Sequence, residues 1–234
     1  MNETRRAYDD WHQRLDAEAG DLDLAPWHAA AVAHIGRLTG RSVLEIGCGR
    51  GSFARWAVGQ GARELTFADF SVTAVAIARR DVMPLSPTSR FLAADIARLP
   101  FANEAFDVVC SFETLEHVPF PDAGLAELVR VTKTGGRIVV TTPNYIGLLG
   151  AYRLFRRMTG RPYAEMGQPI NQPLTLVGRV RRLRTLGCRV EVADGFGHYL
   201  YLPGRTPRRM HVLDGARWLT RWFGAHSLTV AVKR

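Results

Sequence analysis

The middle of the chain alternates between short apolar runs and amphipathic stretches. Apolar runs that end at Gly, Pro or Asp predict strands, at 42–46, 65–68, 90–93, 106–111 and 137–142. Stretches with helical spacing predict the helices between them, at 52–60, 71–81 and 121–132. Strands that alternate with helices are typical of βαβ units, so we expect an α/β fold around a doubly wound, mainly parallel sheet.

The N-terminal segment lies outside this alternation. Tyr8, Trp11 and Leu15 recur at helical spacing, and Pro26 stands where proline is tolerated at the start of a helix. We therefore expect two helices before the first strand, at 4–19 and 26–38.

The pattern changes again after residue 143. A basic, amphipathic stretch from Tyr145 to Arg157 precedes a loop rich in Gly, Pro, Gln and Asn. The remaining elements are predicted to be one basic helix and two strands, at 173–186, 189–192 and 227–232. Because no repeat or linker divides the chain, we expect a single domain over residues 1–234.

Composition narrows the class of protein. The 234 residues are 47% hydrophobic and 23% charged, which is ordinary for a globular protein and excludes a fibrous or disordered chain. No apolar run is long enough to span a bilayer, and the N-terminus lacks the apolar segment of a secretory signal. Cys48, Cys110 and Cys188 contain no C-x-x-C pair. We therefore expect a reduced, cytoplasmic protein without a disulfide framework or a metal site.

Charge is distributed unevenly along the chain. Residues 151–234 carry 16 Lys and Arg against four Asp and Glu, a net +12, whereas residues 1–150 carry a net −3. A basic segment of this kind suits an anionic partner, such as a phosphate-bearing substrate, a lipid surface or nucleic acid. Solvated arginines on helix faces are the alternative interpretation.

The segment from Val43 to Gly51, VLEIGCGRG, runs from a strand into a turn with glycine at alternate positions. Glycine permits positive φ and lets a ligand approach the backbone closely. The segment matches neither the G-x-G-x-x-G dinucleotide pattern nor the G-x-x-x-x-G-K-[ST] phosphate loop. On its own it could equally be a structural turn between a strand and a helix.

Two carboxylates favour a binding site at this loop. Asp69 ends the second predicted strand, where it can accept both hydroxyls of a ribose, and Asp95 follows the third. Phe70 stands beside Asp69 and can stack on a flat base. Either Asp alone would more often be a turn residue or a helix cap. However, ligands of open α/β sheets bind at the carboxyl ends of the strands, where all these residues fall.

The sequence resembles the class I S-adenosylmethionine-dependent methyltransferases, and five motifs carry the likeness: VLEIGCGRG (43–51), FADFS (67–71), LAADIARLPF (92–101), FDVVCSFETLEHV (106–118) and GGRIVVTTPN (135–144). The E-x-L-E-H-V run is similar to that of the branch containing ubiquinone-biosynthesis O-methyltransferases and many natural-product methyltransferases. The resemblance implies S-adenosylmethionine as cofactor and a seven-stranded sheet of order 3-2-1-4-5-7-6, with strand 7 antiparallel.

The resemblance also implies roles for individual residues. Glu45 shapes the glycine loop and reaches the cofactor amine. Asp69 holds the ribose hydroxyls, and Phe70 lies beside the adenine. Asp95 accepts from the adenine N6, and the Ile96 amide meets a ring nitrogen. The other implied cofactor contacts are Gly47, Cys48, Gly49, Gly51 and, just past strand 4, Phe112.

The resemblance further divides the domain into functional segments. Residues 1–40 are expected to form lid helices and residues 41–143 the cofactor-binding core. Residues 144–186 are expected to supply an insertion and helix at the acceptor site, and residues 187–234 the final strands. Contacts with the acceptor are expected from Tyr8, Trp11, Trp27, Glu113, Tyr145 and Tyr199.

Methyl transfer to a hydroxyl requires alignment and, for a hydroxyl of high pKa, a general base. Histidine suits this role because its charge changes near neutral pH. We expect the base to be His117, after the fourth strand, or His198, in a Gly-flanked loop after the sixth. The alternative for His117 is a helix-start residue bonded to backbone.

These features predict transfer of a methyl group to a small molecule, with a hydroxyl of a natural product, a quinone-precursor phenol or a sugar as the favoured acceptor. Methylation of RNA or protein through the basic C-terminal third is one alternative, and a non-catalytic cofactor-binding protein is another. The absence of a D/N-P-P-Y/F motif after strand 4 disfavours methylation of nucleobase nitrogens. The stretch 145–157 is expected to cap the acceptor pocket, with binding to an anionic membrane as the alternative.

Overall fold

The computed structural model describes residues 2–18, 24–160, 167–202, 208–213 and 215–234. Seven strands form one sheet in the order β3-β2-β1-β4-β5-β9-β6, and β9 alone runs antiparallel to its neighbours. These strands are β1 Ser42–Ile46, β2 Glu64–Asp69, β3 Arg90–Ala93, β4 Phe106–Phe112, β5 Thr132–Pro143, β6 Cys188–Phe196 and β9 His226–Lys233. A separate hairpin pairs β7 Tyr199–Leu200 with β8 Arg208–Arg209.

Helices cover both faces of the sheet. In the described part of the chain they are α1 Asn2–Glu18, α2 Pro26–Ile35, α3 Ser52–Val58, α4 Val72–Val82, α5 Pro121–Val131, α6 Leu148–Met158, α7 Leu176–Thr185 and α8 Arg217–Phe223. Pro26 occupies the first turn of α2, and the Ser71 hydroxyl caps α4 by accepting from the Ala74 amide at 3.1 Å. Both starts agree with the sequence expectation.

The core has two layers, one on each face of the sheet. One packs Ile35, Phe53 and Phe67 together, and the other packs Leu44 and Leu128 among their neighbours. All five residues of β1 are buried, as is typical of a parallel strand covered on both faces. Full burial of each large apolar side chain contributes about 1.5–3 kcal/mol, so the two layers hold the central strands rigidly.

The predicted sheet order and its single antiparallel strand are confirmed. The bounds differ most around β5, which begins at Thr132 rather than at Arg137. Helix α5 ends at Val131, one residue before its predicted end, because Thr132 already pairs with Phe106 of β4. The sequence patterns did not predict the β7–β8 hairpin or α8. None of the described helices combines the length and apolarity needed to cross a membrane.

Candidate active site

The carboxyl ends of β1, β2 and β4 meet at one edge of the sheet, and the antiparallel β9 begins there. Ile46 of β1 pairs with Ala68 of β2, and His226 at the start of β9 pairs with Pro143 at the end of β5. The sheet order places the β1–β2 ends on one side of this edge and the β4–β5–β9 ends on the other. The edge therefore has two halves, and the strand order reverses between them, where ligands of such sheets bind.

The glycine loop follows β1 and adopts backbone conformations that favour glycine. Gly47, Gly49 and Gly51 have φ values of 81°, 51° and 91°. A Cβ on Gly47 would overlap the Thr114 side chain, whereas a Cβ on Gly49 would meet only the His12 ring, at 3.8 Å. The first glycine therefore allows the loop to pack under Thr114, and the second leaves the backbone open towards α1.

Asp69 at the end of β2 joins the glycine loop to the next helix. Its Oδ2 accepts from the Gly49 amide at 2.9 Å, and its Oδ1 accepts from the Ser71 amide at 2.9 Å. An ionised carboxylate offers about four lone-pair sites, so two remain for further donors. A direct hydrogen bond therefore joins Asp69 to the glycine loop.

Two buried groups at the glycine loop, the carboxyl of Glu45 and the thiol of Cys48, have raised pKa values. Glu45 is 1% exposed, and its Oε2 has no hydrogen-bond partner among the described residues. Burial, with a further contribution from Asp69, raises the pKa of Glu45 well above its usual value. Burial likewise raises the pKa of the Cys48 thiol, which makes Cys48 an unreactive part of the loop.

The predicted adenine-side residues extend this half of the site. The ring of Phe70 lies 6.2 Å from that of Tyr8 and 4.8 Å from the Arg5 guanidinium. Asp95 accepts from the Ala97 amide at 2.9 Å, and Ile96 is buried in the second core layer. These contacts place Phe70 beneath α1 and give Asp95 a turn-forming role in the structure.

Helix α1 packs over the glycine-loop half. The Tyr8 hydroxyl donates to the His117 carbonyl at 3.0 Å, and Arg50 donates to the Leu15 carbonyl at 2.9 Å. Trp11 packs edge-on against His12, with ring centroids 4.7 Å apart. His12 is buried above Gly49, and burial lowers its pKa despite the nearby Asp69. Helix α1 thus brings a histidine with a lowered pKa to the glycine loop.

His117 follows β4 in a single 3₁₀ turn, Leu115–His117, and is buried. Its Nδ1 lies 2.7 Å from the Ile170 carbonyl, and its Nε2 lies 3.6 Å from Oε1 of Glu116. A carbonyl only accepts, so Nδ1 carries the proton of the neutral ring. Burial lowers the pKa of His117, although the Ile170 contact opposes this. His117 thus lies at the predicted edge, with Nδ1 hydrogen-bonded to backbone and Nε2 in a longer contact with Glu116.

Glu113 and His226 form a hydrogen-bonded pair in the second half of the edge. Oε2 of Glu113 lies 2.8 Å from Nδ1 of His226, and the two side chains are 11% and 13% exposed. Glu113 directly follows β4 and adopts a left-handed φ of 47°, which is strained for a residue with a side chain. Phe112, expected just past β4, is instead its last residue and is buried beside His28, with ring centroids 5.1 Å apart.

The remaining predicted residues fall into different places. Trp27 and Tyr199 both lie near His226, with ring centroids 5.7 Å and 5.9 Å away. The guanidinium of Arg153 lies over the ring of Tyr145, 4.2 Å from the ring centroid. His198 does not join these groups through its described bonds, because its Nε2 lies 3.0 Å from the Thr220 hydroxyl of α8.

The residues at the glycine-loop half fit S-adenosylmethionine. Glu45 presents a buried oxygen without a described partner, which suits a cationic amine. Gly49 leaves room where a side chain would stand, and Asp69 retains lone pairs for hydroxyl donors. The glycine-loop half thus offers two carboxylates and an open stretch of backbone, which is the chemistry that an amine and ribose hydroxyls would need.

Sequence reasoning missed two histidines, His12 and His226. His12 shares the helical face of Tyr8 and Leu15, so its spacing was a usable signal for burial but not for its position above Gly49. His226 begins an antiparallel strand, and its carboxylate partner is 113 residues earlier in the chain. No local pattern links residues so far apart.

Comparison with known proteins agrees with this geometry. The family model described as "Methyltransferase domain" matches residues 44–140. A demethylmenaquinone methyltransferase from Beutenbergia cavernae is 32% identical over 164 residues, which cover 68% of this chain and 66% of that protein. A ubiquinone biosynthesis O-methyltransferase from Alkalilimnicola ehrlichii is 33% identical over 124 residues, which cover 52% and 50%. The matched part of the chain thus spans between half and two thirds of the length of these two relatives.

A solved structure shares the fold. The S-adenosylmethionine-dependent methyltransferase from Mesorhizobium loti superposes with a TM-score of 0.65 at 20% identity, covering 91% of this chain and all of that one. The matched segment begins within β1 and ends within β5. It therefore includes the glycine loop, Asp69 and Glu113. From its sequence relatives and its sheet, the chain belongs to the class I S-adenosylmethionine-dependent methyltransferases.

Proposed function

We propose that this protein transfers the methyl group of S-adenosylmethionine to a hydroxyl oxygen of a small molecule, such as a natural product, a quinone-precursor phenol or a sugar. The observation that carries the proposal is the bond between Asp69 and the Gly49 amide, 2.9 Å long, beside a second half of the edge that holds Glu113 and three histidines. One half suits a nucleoside and the other suits proton transfer.

The residues proposed to hold the cofactor are those of the glycine-loop half. When bound, the cofactor supplies an electrophilic methyl group on a sulfonium whose leaving group is a neutral thioether. Asp69 accepts from the ribose hydroxyls, and Glu45 faces the amine. Phe70 and Ile96 border the adenine, and α1 excludes water from above. Because the leaving group needs no acid, the protein has to align the acceptor and remove its proton.

The acceptor is proposed to enter the half formed by the ends of β4, β5 and β9. Of the two histidines expected as bases, His117 lies at this edge, whereas the described bonds of His198 run to α8. The O-methyltransferase name of one relative supports an oxygen acceptor. The aromatic residues around His226 support an acceptor that is small and at least partly planar.

We also propose that the protein contacts an anionic membrane surface when it collects a lipophilic acceptor. Leu154 and Phe155 of α6, expected to be buried under a pocket cap, are 61% and 48% exposed. Trp218 of α8 is 71% exposed. The start of α6 abuts the end of α8, where a Cβ on Gly147 would lie 2.9 Å from the Phe223 carbonyl. Both helices therefore carry exposed apolar side chains, and arginines accompany them.

Calorimetry with S-adenosylhomocysteine tests the cofactor assignment. Asp69→Asn keeps the shape of the side chain but removes its charge, and each hydrogen bond to a charged group contributes about 1.5–3 kcal/mol. We expect binding to weaken roughly 10- to 150-fold, because 1.36 kcal/mol corresponds to a factor of ten. Asp122→Asn, an exposed carboxylate in the first turn of α5, is the matched control. Unchanged affinity in Asp69→Asn would refute the assignment.

A further inference from the structure

A groove with a volume of about 400 Å³ lies between helices α5 and α7. Asp122 and Leu125 line it from α5, and Gly178, Arg182 and Thr185 line it from α7 at helical spacing. Its described lining contains no residue of the glycine loop. Pockets that bind small molecules commonly measure about 300–1,000 Å³, so the groove is a second cavity of ligand size.

The inner part of the groove is apolar. Leu115 and Leu125 are buried, and Leu174 is half-buried against the same core layer. Gly178 stands in the α7 wall, where a Cβ would meet only the Thr175 hydroxyl within 4 Å, at 3.1 Å. The missing side chain therefore leaves space above the leucines, and an alkyl or aryl group could pack there.

Arginines make the lining of the groove positive. Arg179, Arg181 and Arg182 line it, whereas Asp122 is the carboxylate of the described lining. Neither Arg181 nor Arg182 forms an ion pair or a side-chain hydrogen bond with the described residues, and Nε of Arg182 is a buried donor without a partner among them. Two guanidinium groups are thus uncommitted beside an apolar floor.

The walls of the groove are held in place by hydrogen bonds. The Arg179 guanidinium donates to the hydroxyls of Thr229 and Ser227, at 2.9 Å and 2.8 Å, and so fixes α7 to β9. The Leu174 carbonyl accepts from the Tyr145 amide at 3.2 Å, which ties the segment before α7 to the end of β5. A groove with fixed walls costs a ligand little free energy of ordering.

We propose that this groove is a second ligand site and that it takes an amphiphilic anion. The alkyl or aryl body of the ligand packs on the leucines, and its phosphate or carboxylate group binds the guanidinium groups of Arg181 and Arg182. Arginine presents a planar set of donors that matches both oxyanions. The inference goes beyond the proposed methyl transfer and does not depend on the identity of the methyl acceptor.

Other classes of ligand suit the groove less well. A bare anion would leave the leucines in contact with water, and a neutral apolar molecule would leave the guanidinium groups without acceptors. A cation would face three arginines for one carboxylate. An amphiphilic anion satisfies both the apolar floor and the charge of the lining.

Calorimetry with octyl phosphate, octanol and inorganic phosphate separates the two parts of the ligand. Octyl phosphate should bind the wild-type protein. Octanol lacks the charge and inorganic phosphate lacks the apolar body, so each should bind at least about 10-fold more weakly. No binding of octyl phosphate, or equal binding of either of the other two probes, would overturn the proposal.

Variants of α7 place the site. Arg182→Gln should weaken octyl phosphate binding about 10-fold, because a hydrogen bond to a charged group is lost. Arg184→Gln, an exposed arginine of the same helix that does not line the groove, is the matched control and should bind like the wild type. Gly178→Leu should block the groove without removing a charge. Thermal unfolding shows that each variant is folded, and unchanged affinity in either Arg182→Gln or Gly178→Leu would overturn the proposal.

Competition distinguishes this groove from the other proposed sites. Octyl phosphate should bind equally well when S-adenosylhomocysteine is saturating and in Trp218→Ser with Phe155→Ser. Displacement by S-adenosylhomocysteine, or loss of binding in that double variant, would put octyl phosphate elsewhere and overturn the proposal. Failure of S-adenosylhomocysteine to bind would contradict the proposed function alone.

Co-sedimentation with phosphatidylglycerol vesicles identifies the source of the anion. Pelleting that is unchanged in Arg182→Gln, together with weaker binding of octyl phosphate, indicates a free amphiphile. A parallel loss of both indicates that the groove takes the phosphate of a membrane lipid.

Discussion

At the scale of single residues, the glycine loop shows how backbone conformation and a close contact combine. Gly47 and Gly135 have nearly the same left-handed φ, 81° and 76°. The first faces Thr114 at a distance that excludes any side chain, whereas a Cβ on the second meets nothing within 4 Å. A comparison of Gly47 with Gly135 therefore separates the free-energy cost of the left-handed φ from the cost of the overlap with Thr114.

We predict that Gly47→Ala is much more harmful than Gly135→Ala. The left-handed conformation alone costs an L-residue about 1–2 kcal/mol, which is the loss expected for Gly135→Ala. Gly47→Ala must also displace Thr114 and the loop, so S-adenosylhomocysteine binding should be lost. Thermal unfolding and calorimetry on both variants test this. Equal losses of stability with cofactor binding retained would show that the Thr114 contact is unimportant.

Glu45 leads to a prediction about protons. Its raised pKa favours the protonated form in the free protein, whereas a cationic amine beside it would favour the ionised form. Binding of S-adenosylhomocysteine at pH 7 should therefore release a proton from Glu45 to the buffer. The measured enthalpy should then differ between phosphate and Tris, and Glu45→Gln should reduce that difference. Identical enthalpies in both buffers for the wild type would exclude this role.

At the scale of elements, a buried arginine locks α7 to the sheet. The Arg179 guanidinium bonds to Thr142 of β5, to Thr229 at 2.9 Å and to the Ser227 hydroxyl at 2.8 Å. Three polar side chains on strands β5 and β9 therefore face a charged group within the core. The same cation lies near Glu113 and Glu116, so the lock also balances the charge of the acceptor half.

We predict that Arg179→Met destabilises the protein by about 3–5 kcal/mol, the usual cost of removing one member of a buried charged network. The hydroxyls of Ser227 and Thr229 would lose their donor, and Glu113 would lose its cation. Arg184→Met, on the exposed face of α7, should stay within about 0.5 kcal/mol of the wild type. Denaturant unfolding measures both. A loss below 1 kcal/mol in Arg179→Met would mean that the network relaxes without cost.

At the scale of the whole molecule, exposed apolar side chains and arginines are concentrated in a set of C-terminal elements, called here the C-terminal surface. It comprises α6, the β7–β8 hairpin and α8, and the ring of Tyr152 stacks on that of Tyr201 at 5.4 Å to join α6 to the hairpin. The exposed large apolar residues there are Leu148, Leu154, Phe155, Met158, Leu200, Leu202, Val212, Trp218, Trp222 and Phe223. Exposed arginines accompany them at Arg157, Arg208, Arg209, Arg217 and Arg221.

We predict that this surface binds anionic vesicles. Each arginine near such a membrane contributes about 1 kcal/mol, and the attraction should decline with salt. Co-sedimentation with phosphatidylglycerol vesicles should fall in Trp218→Ser with Phe155→Ser, while Val72→Ser with Leu85→Ser, exposed residues elsewhere, should pellet like the wild type. If no protein pellets even at low salt, the surface is not a membrane contact.

The sequence by itself determined the parts of this protein that depend on short-range patterns. The alternation of apolar and amphipathic stretches predicted the sheet strands and most helices, because each element buries its own apolar face. The glycine loop and Asp69 were also predictable, since each follows a strand directly and strand ends meet at one edge.

Only the tertiary structure decided the acceptor half of the site. His226 reaches Glu113 because β9 runs antiparallel and its first residue pairs with Pro143, the last residue of β5, which lies next to β4 in the sheet. His12 reaches Gly49 because α1 folds back over the loop, and Arg179 enters the core because β5 and β9 turn three polar side chains towards α7. These contacts join residues that are far apart in the chain, so no local spacing encodes them, and the packing of the helices on the ordered strands brings them together.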